Sequence, residues 1–354
     1  MSSAHLVALQ EAHAFDPFPV REDLGIYHVP FGRLVGTNHP EETLLDACRR
    51  FERVAIVGDS GTGKSSLTAS VLGPLAEGVA PVLVPVAVEP TDIVSEPRAM
   101  FAHIAGVIAR YATEAQAIST DRREEALARI TAHRPVGRTG GRNLRLAAGW
   151  MGATVSADLS RQVPPGQAID RSATETLEIV HQMLTTIHNQ GLTPVLVFDD
   201  TDRWLGGSAY PDPAHLVSAF FGRVLPALAE LRCSLVVAVH GHYLTNDPPR
   251  RDIDRTLETR VDVPPLAAPA AIAEVLASRV RVHSEPEAAP LLSEVITDEG
   301  IERLFAHYQG GLRGELRGVL RIAHVALADA CDSGAGAING RLIDAALAAW
   351  EPSS

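Results

Sequence analysis

Gly58-Asp59-Ser60-Gly61-Thr62-Gly63-Lys64-Ser65 fits the pattern G-x-x-x-x-G-K-[ST] without substitution. An apolar run, Arg53 to Val57, comes directly before it, and Ser65 to Leu72 reads as a helix stopped near Gly73 and Pro74. Glycines at these places let the backbone curl until its N–H groups face phosphate oxygens, with the positive end of the next helix behind them. On this reading Gly58 to Ser66 cradle the phosphates of a nucleoside triphosphate. Lys64 reaches the β- and γ-phosphates, and the Ser65 hydroxyl ligates Mg²⁺. Lys64 is also the only lysine in the chain, because the other 30 of 31 basic residues are arginine. A compact ammonium on a flexible stem is kept where a planar guanidinium would not serve.

Outward from the loop, a second carboxylate-bearing strand is needed. Thr193 to Asp200, TPVLVFDD, supplies an apolar strand (Val195 to Phe198) running into paired acids. Asp199 is the expected Mg²⁺ ligand, and Asp200 the group that orients or deprotonates the attacking water. Other strands are expected at Pro81 to Val88, where Pro85 calls for a bulge or an edge position, at Ser234 to Val239 and at Arg260 to Val263. Helices are expected between them, including one from Pro213 to Leu231 and one opened by a capping box at Ser172 and Glu175. Strands alternating with helices imply a mainly parallel sheet covered on both faces.

Beyond Pro265 the pattern is helical only, over Ala271 to Val282, Asp298 to Tyr308, Leu312 to Cys331 and Arg341 to Trp350. The expected division is a nucleotide-binding α/β domain over 1–265 and a helical domain over 266–354. An irregular basic insertion falls at about 113–171; between Asp121 and Arg171 stand nine arginines against five acids. It reads either as a solvated loop or as an element that touches a neighbouring subunit or nucleic acid.

These residues resemble the P-loop ATPases of the AAA+ class, nearest to the origin-recognition-type and signal-transducing (STAND-like) branch. The resemblance rests on GDSGTGKSSL and VLVFDDTDRW and extends more loosely from about Gly32 to Trp350. It implies sheet order 5-1-4-3-2 with helices on both sides, a helical lid beside the nucleotide, ATP and Mg²⁺ as cofactors, and homo-oligomers in the ATP state. It also implies three further positions. His240 stands where such proteins sense the γ-phosphate, usually with asparagine, threonine or serine. Arg313, in Gly310-Gly311-Leu312-Arg313, is similar to the lid arginine, with Arg317 and Arg321 on nearby turns. Among Arg250, Arg251, Arg255 and Arg260, Arg260 best fits the arginine given in trans to a neighbour's ATP, and Arg255 is second. Asp200 departs from the glutamate that many active members carry.

The resemblance implies ATP hydrolysis that drives assembly or partner remodelling; the alternative is a nucleotide-gated switch with negligible turnover. A small-molecule kinase fits less well, because the helical carboxyl unit with Arg313 is unlike the short lids of kinases. A place in a bacterial defence or mobile-element system is compatible with such stand-alone ATPases.

Net charge is -12, with 43 acids against 31 bases. This argues against a protein coated for nucleic acid, so DNA contact is expected to be weak, salt-sensitive and ATP-dependent. Cys48, Cys233 and Cys331 stand far apart, a spacing that forms neither a zinc site nor a disulfide framework. No run reaches the roughly 18 apolar residues of a membrane span, and the amino terminus lacks a signal-peptide pattern. The expected location is the cytoplasm, with no membrane partner and an unidentified protein partner.

Overall fold

The computed structural model describes residues 4–19, 24–36, 40–73, 78–86, 93–117, 173–206, 213–245, 247, 249–285, 289–310 and 315–349. Ser172, Arg313 and most of the expected insertion at 113–171, including the arginine-rich stretch 134–145, lie outside these residues. The chain forms two compact units. One comprises Glu42–Gly58 with Val71–Asp262, and the other Met1–Glu41, Asp59–Ser70 and Val263–Ser354.

The first unit is built on five parallel strands: β1 (Arg53–Val57), β2 (Val79–Leu83), β3 (Thr193–Phe198), β4 (Ser234–Val239) and β5 (Thr259–Asp262). They lie in the order β2-β3-β4-β1-β5, the expected 5-1-4-3-2 read from the other edge. Strands β3 and β4 are buried at all six positions, as a parallel sheet covered on both faces requires. On β5, at one edge, only Val261 is buried. Register runs from Arg53↔Leu235 to Val57↔Val239 between β1 and β4, and from Val195↔Ser234 to Phe198↔Val237 between β3 and β4. Pro194 precedes the first β3–β4 pair, so its missing N–H costs nothing on that side.

Two expectations change. The second strand ends at Leu83 rather than Val88, and the last ladder bond runs from Val84 N–H to Val197 O at 3.0 Å. Pro85 has no N–H with which to continue, so it terminates an edge strand and no bulge is needed. The expected single helix from Pro213 to Leu231 is instead Pro213–Ala219, a π turn over Phe220–Val224, and Leu225–Leu228. Pro226 cannot donate to the carbonyl of Gly222, which favours a local widening of the helix. Widening also lets Phe220, Phe221, Val224 and Leu225 all be fully buried. Phe220 meets Trp204 edge-on at 4.9 Å, and Phe221 tilts against Tyr243 at 5.5 Å.

The second unit holds the four expected carboxyl-terminal helices, Pro269–Val282, Asp298–Gln309, Leu316–Ser333 and Gly340–Ala349, with a short helix Leu292–Val295 added. Thr297 caps the second of these by accepting the Gly300 N–H at 3.2 Å. Gly334, at φ 70°, closes the third in the left-handed conformation. Leu6, Leu9, Ala14, Phe15 and Val29 of the amino-terminal segment share this core. That segment is also pinned by Arg279, 5% exposed, whose guanidinium lies 3.9 Å from the Tyr27 ring centroid and donates to Asp16 O at 3.1 Å. A buried guanidinium needs such partners, and stacking on an aromatic face is one of the cheaper ones. Among the described residues no helix is long and apolar enough to cross a membrane.

Burial pushes the thiols of Cys48 and Cys233 up to about 12, while Cys331 is half-exposed. The thiolate is the reactive form. One thiol per chain is therefore expected to react rapidly with a disulfide reagent in the native protein, and three after denaturation. Two or three fast thiols would contradict this packing.

Candidate nucleotide-binding site

β1 ends at Val57, and Gly58 N–H donates to Val239 O at 3.2 Å. From there the chain enters the glycine loop and then the helix Lys64–Val71. Gly61 and Gly63 hold φ at 73° and 105°, and the second value is open to little but glycine. Thr62 Oγ1 donates to Asp59 O at 2.9 Å, closing the loop on itself. Lys64, 7% exposed at the first position of the helix, curls back and donates from Nζ to the same carbonyl at 2.7 Å. Its charge is thus held over the loop by an acceptor that a phosphate oxygen can replace. Asp59 is exposed, and Ser60 and Ser65 are half-buried.

Ser66 turns elsewhere. Its hydroxyl donates to Leu24 O at 3.1 Å and lies 3.4 Å from His28 Nδ1. His28 Nε2 meets Glu41 Oε1 at 2.9 Å, and the same oxygen accepts the Phe31 N–H at 2.7 Å. The helix that follows the phosphate loop is therefore strapped to residues 24–41. Burial holds the His28 imidazole below its usual pKa, with the Glu41 contact opposing it more weakly.

The start of the helix Leu316–Ser333 also meets the loop. Leu316 N–H donates to Gly61 O at 3.2 Å. A Cβ built on Gly61 would lie 2.6 Å from Glu315 Cγ and 3.1 Å from Arg317 Cβ. Arg313 lies outside the described residues; Arg317 meets the loop through its Cβ, with its guanidinium 5.4 Å from the Phe18 ring centroid. The helix begins at Leu316 rather than Leu312, and that four-residue shift decides which arginine stands in its first turn. Two glycines upstream and an acid at the cap were the sequence signal for the later start.

Parallel register brings Gly58, Asp199 and His240 to one edge of the sheet, each just past the end of its strand. Asp199 is 6% exposed; its Oδ1 accepts the Asp200 N–H at 2.9 Å, and its carbonyl accepts Trp204 Nε1–H at 2.8 Å. Thr201 Oγ1 donates to Ala238 O, pinning the same turn to β4. Asp200 sits at φ 56°, ψ 34°, left-handed, ahead of the helix Thr201–Leu205 and without capping it through its side chain.

His240 Nδ1 lies 2.7 Å from His242 Nδ1 and accepts the His242 N–H at 3.3 Å. It is thus an acceptor there, which makes His242 Nδ1–H the donor of the ring–ring contact. Both rings pack on Tyr243, whose hydroxyl is buried without a partner among the described residues and pushed up by desolvation. Each of the four arginines between 250 and 260 has its own aspartate: Arg250–Asp254 at 3.6 Å, Arg251–Asp247 at 3.2 Å, Arg255–Asp252 at 3.1 Å and Arg260–Asp262 at 2.6 Å.

Residues 42–237, more than half of the chain, match the family model of the AAA ATPase domain. The chain belongs to that family. No curated protein matches it. In this AAA ATPase domain the match takes in the phosphate loop, Asp199 and Asp200. His240, the four arginines and the carboxyl-terminal helices stand beyond it. Nucleotide binding through a P-loop is the shared property of the family.

Two measurements check this geometry. Asp200→Gly and Asp200→Ala both remove the carboxylate, but only alanine must force a Cβ into the left-handed region. The glycine variant is expected to be more stable by about 1 kcal/mol, read from denaturant midpoints; equal stability would contradict the backbone assignment. His28 binds a proton less readily folded than unfolded, where its pKa is about 6.5. Its contribution is therefore fully present above that value and lost as pH falls below it. Between pH 7.5 and 5.5 the wild type is expected to lose more stability than His28→Asn, and parallel losses would count against the buried neutral imidazole.

Proposed function

We propose that this AAA ATPase domain hydrolyses ATP to ADP and phosphate, in the manner of the origin-recognition-type and signal-transducing branch, and uses the cycle to change self-assembly or its hold on a protein partner. The observation that carries the reading is Lys64. The chain's only lysine is buried at the head of a helix, with its ammonium bonded to a carbonyl of the loop itself. Exchange of that carbonyl for phosphate oxygens replaces a neutral acceptor by an anionic one, so that both partners of the bond are charged.

Ser65 and Asp199 offer a hydroxyl and a carboxylate, the hard oxygen donors that Mg²⁺ takes. When bound, the ion would neutralise charge on the phosphates. Asp200 is the candidate to orient the attacking water and receive its proton. Arg313 remains our candidate for the lid arginine, with Arg317, in the first turn of its helix beside Gly61, as the second. Arg260 and then Arg255 are the candidates to act on a neighbour's nucleotide, each after release from its aspartate.

A second reading, a switch that holds nucleotide with negligible turnover, is favoured by two observations. Asp200 is one methylene shorter than glutamate and sits on a left-handed backbone, and His240 Nδ1 is engaged by His242.

Steady-state phosphate release with Lys64→Ala as control separates the readings. Hydrolysis predicts a fall of at least about a hundredfold in the variant, with a larger solution mass for the wild type in ATP than without it. Tightly co-purified nucleotide with fewer than about one turnover per hour selects the switch. Equal release from wild type and variant sinks the hydrolytic reading.

A further inference from the structure

Glu315 occupies the N-cap of the helix Leu316–Ser333, yet its side chain makes no capping bond to that helix. Glutamate is a poor capping residue beside aspartate, asparagine, serine or threonine, so nothing holds its carboxylate at the first N–H groups. The side chain runs across the phosphate loop instead. Its Cγ and Oε1 stand 2.6 Å and 3.1 Å from where a Cβ on Gly61 would be. The neighbouring backbone holds this approach, because Leu316 N–H donates to Gly61 O at 3.2 Å. Gly61, at φ 73° with that side chain against it, accommodates the contact by having no side chain of its own. The carboxylate makes no ion pair with a described residue. Arg317, in the first turn of the helix, reaches the same place with its Cβ, while its guanidinium lies 5.4 Å from the Phe18 ring centroid.

We propose that Glu315 is a tethered anion that competes with nucleotide phosphates for the loop. The proposal rests on the loop's reading as a nucleotide site and adds a restraint to it. A polyphosphate entering the loop meets a carboxylate of like charge already lying on the loop backbone, and like charges at close range oppose one another strongly where water is scarce. Binding must therefore displace Glu315 from Gly61. The Leu316–Gly61 hydrogen bond joins the two, so that displacement moves the first turn of the helix Leu316–Ser333 as well. Occupancy of the loop is thereby coupled to the carboxyl-terminal helices through one side chain and one backbone bond. The restraint acts on charge, so it weighs most on ATP, less on ADP and not at all on adenosine.

Calorimetric titration of the full chain with ATP, ADP and adenosine, for wild type, Glu315→Gln and Glu315→Asp, tests this. Glu315→Gln is expected to bind ATP at least about tenfold tighter at low salt, a fraction of what one like charge at close range opposes at an effective dielectric of about 20, because the side chain can swing aside. The gain is expected to be smaller for ADP, absent for adenosine, and reduced in 0.5 M salt by screening, with a Debye length of about 3–8 Å in that range. Glu315→Asp keeps the charge and should stay near the wild type. Amide exchange at Leu316 supplies a readout independent of any variant: ATP should speed it in the wild type. Tighter binding with faster Leu316 exchange supports the proposal. Unchanged or weaker ATP binding by Glu315→Gln overturns it and leaves the loop's reading intact, as does Leu316 exchange that ATP slows or leaves unchanged. No binding of nucleotide by any of the three proteins overturns both.

Discussion

A sheet whose strands all run the same way must deliver every carboxyl end to one edge, and the chemistry of this protein hangs on that constraint. Gly58, Asp199 and His240 are far apart in sequence, yet each is the first residue beyond a parallel strand. Their shared edge follows from the β1–β4 and β3–β4 registers and needs no further device. The cost falls on composition: β3 and β4 must be apolar throughout because helices cover both faces. Polar chemistry can then begin only where the strands stop, so the acids appear together at Asp199 and Asp200.

The loop answers a different demand. Its backbone closes through two donors onto one carbonyl, Thr62 Oγ1 and Lys64 Nζ both meeting Asp59 O. The charge is thus pre-positioned rather than free to wander, and little ordering remains when a stronger acceptor comes. On its flanks the loop is held by Ser66 through His28 and Leu24, and by Leu316 through Gly61. Both holds come from residues distant in sequence, one before the loop and one long after it.

Much of this was legible in the sequence where burial or covalent spacing dictated it. β1 and β4 have the expected bounds, since continuous apolar runs stop abruptly at Gly58 and His240. At β2 the apolar run PVLVPVAV suggests a longer strand than forms, because the ladder is limited by hydrogen bonding and stops before Pro85. The π turn left no mark of its own: adjacent phenylalanines followed by a proline fit an ordinary helix as well. Leu312 suits the periodicity of the helix that begins at Leu316, and only the glycines and Glu315 argued for the later start. The joining of Leu6, Leu9 and Phe15 to the helical core could not be read from a short segment without repeating pattern. The pairing of Arg250, Arg251, Arg255 and Arg260 was readable in principle, since Asp247, Asp252, Asp254 and Asp262 are interleaved at two- to four-residue spacing.

That interleaving, with Glu258 answered by Arg53 of the neighbouring strand, makes the stretch from Asp247 to Asp262 part of a patch of five guanidiniums and five carboxylates, neutral in sum although the chain carries -12. A neutral mosaic casts almost no field beyond its own dipoles, so it neither calls a partner from a distance nor repels one. Recognition there can occur only on touching, by swapping one ionic partner for another of matching geometry. Such a surface discriminates by fit and stays silent toward the polyanions of the cell, a useful reticence in a chain with arginine as nearly its only base.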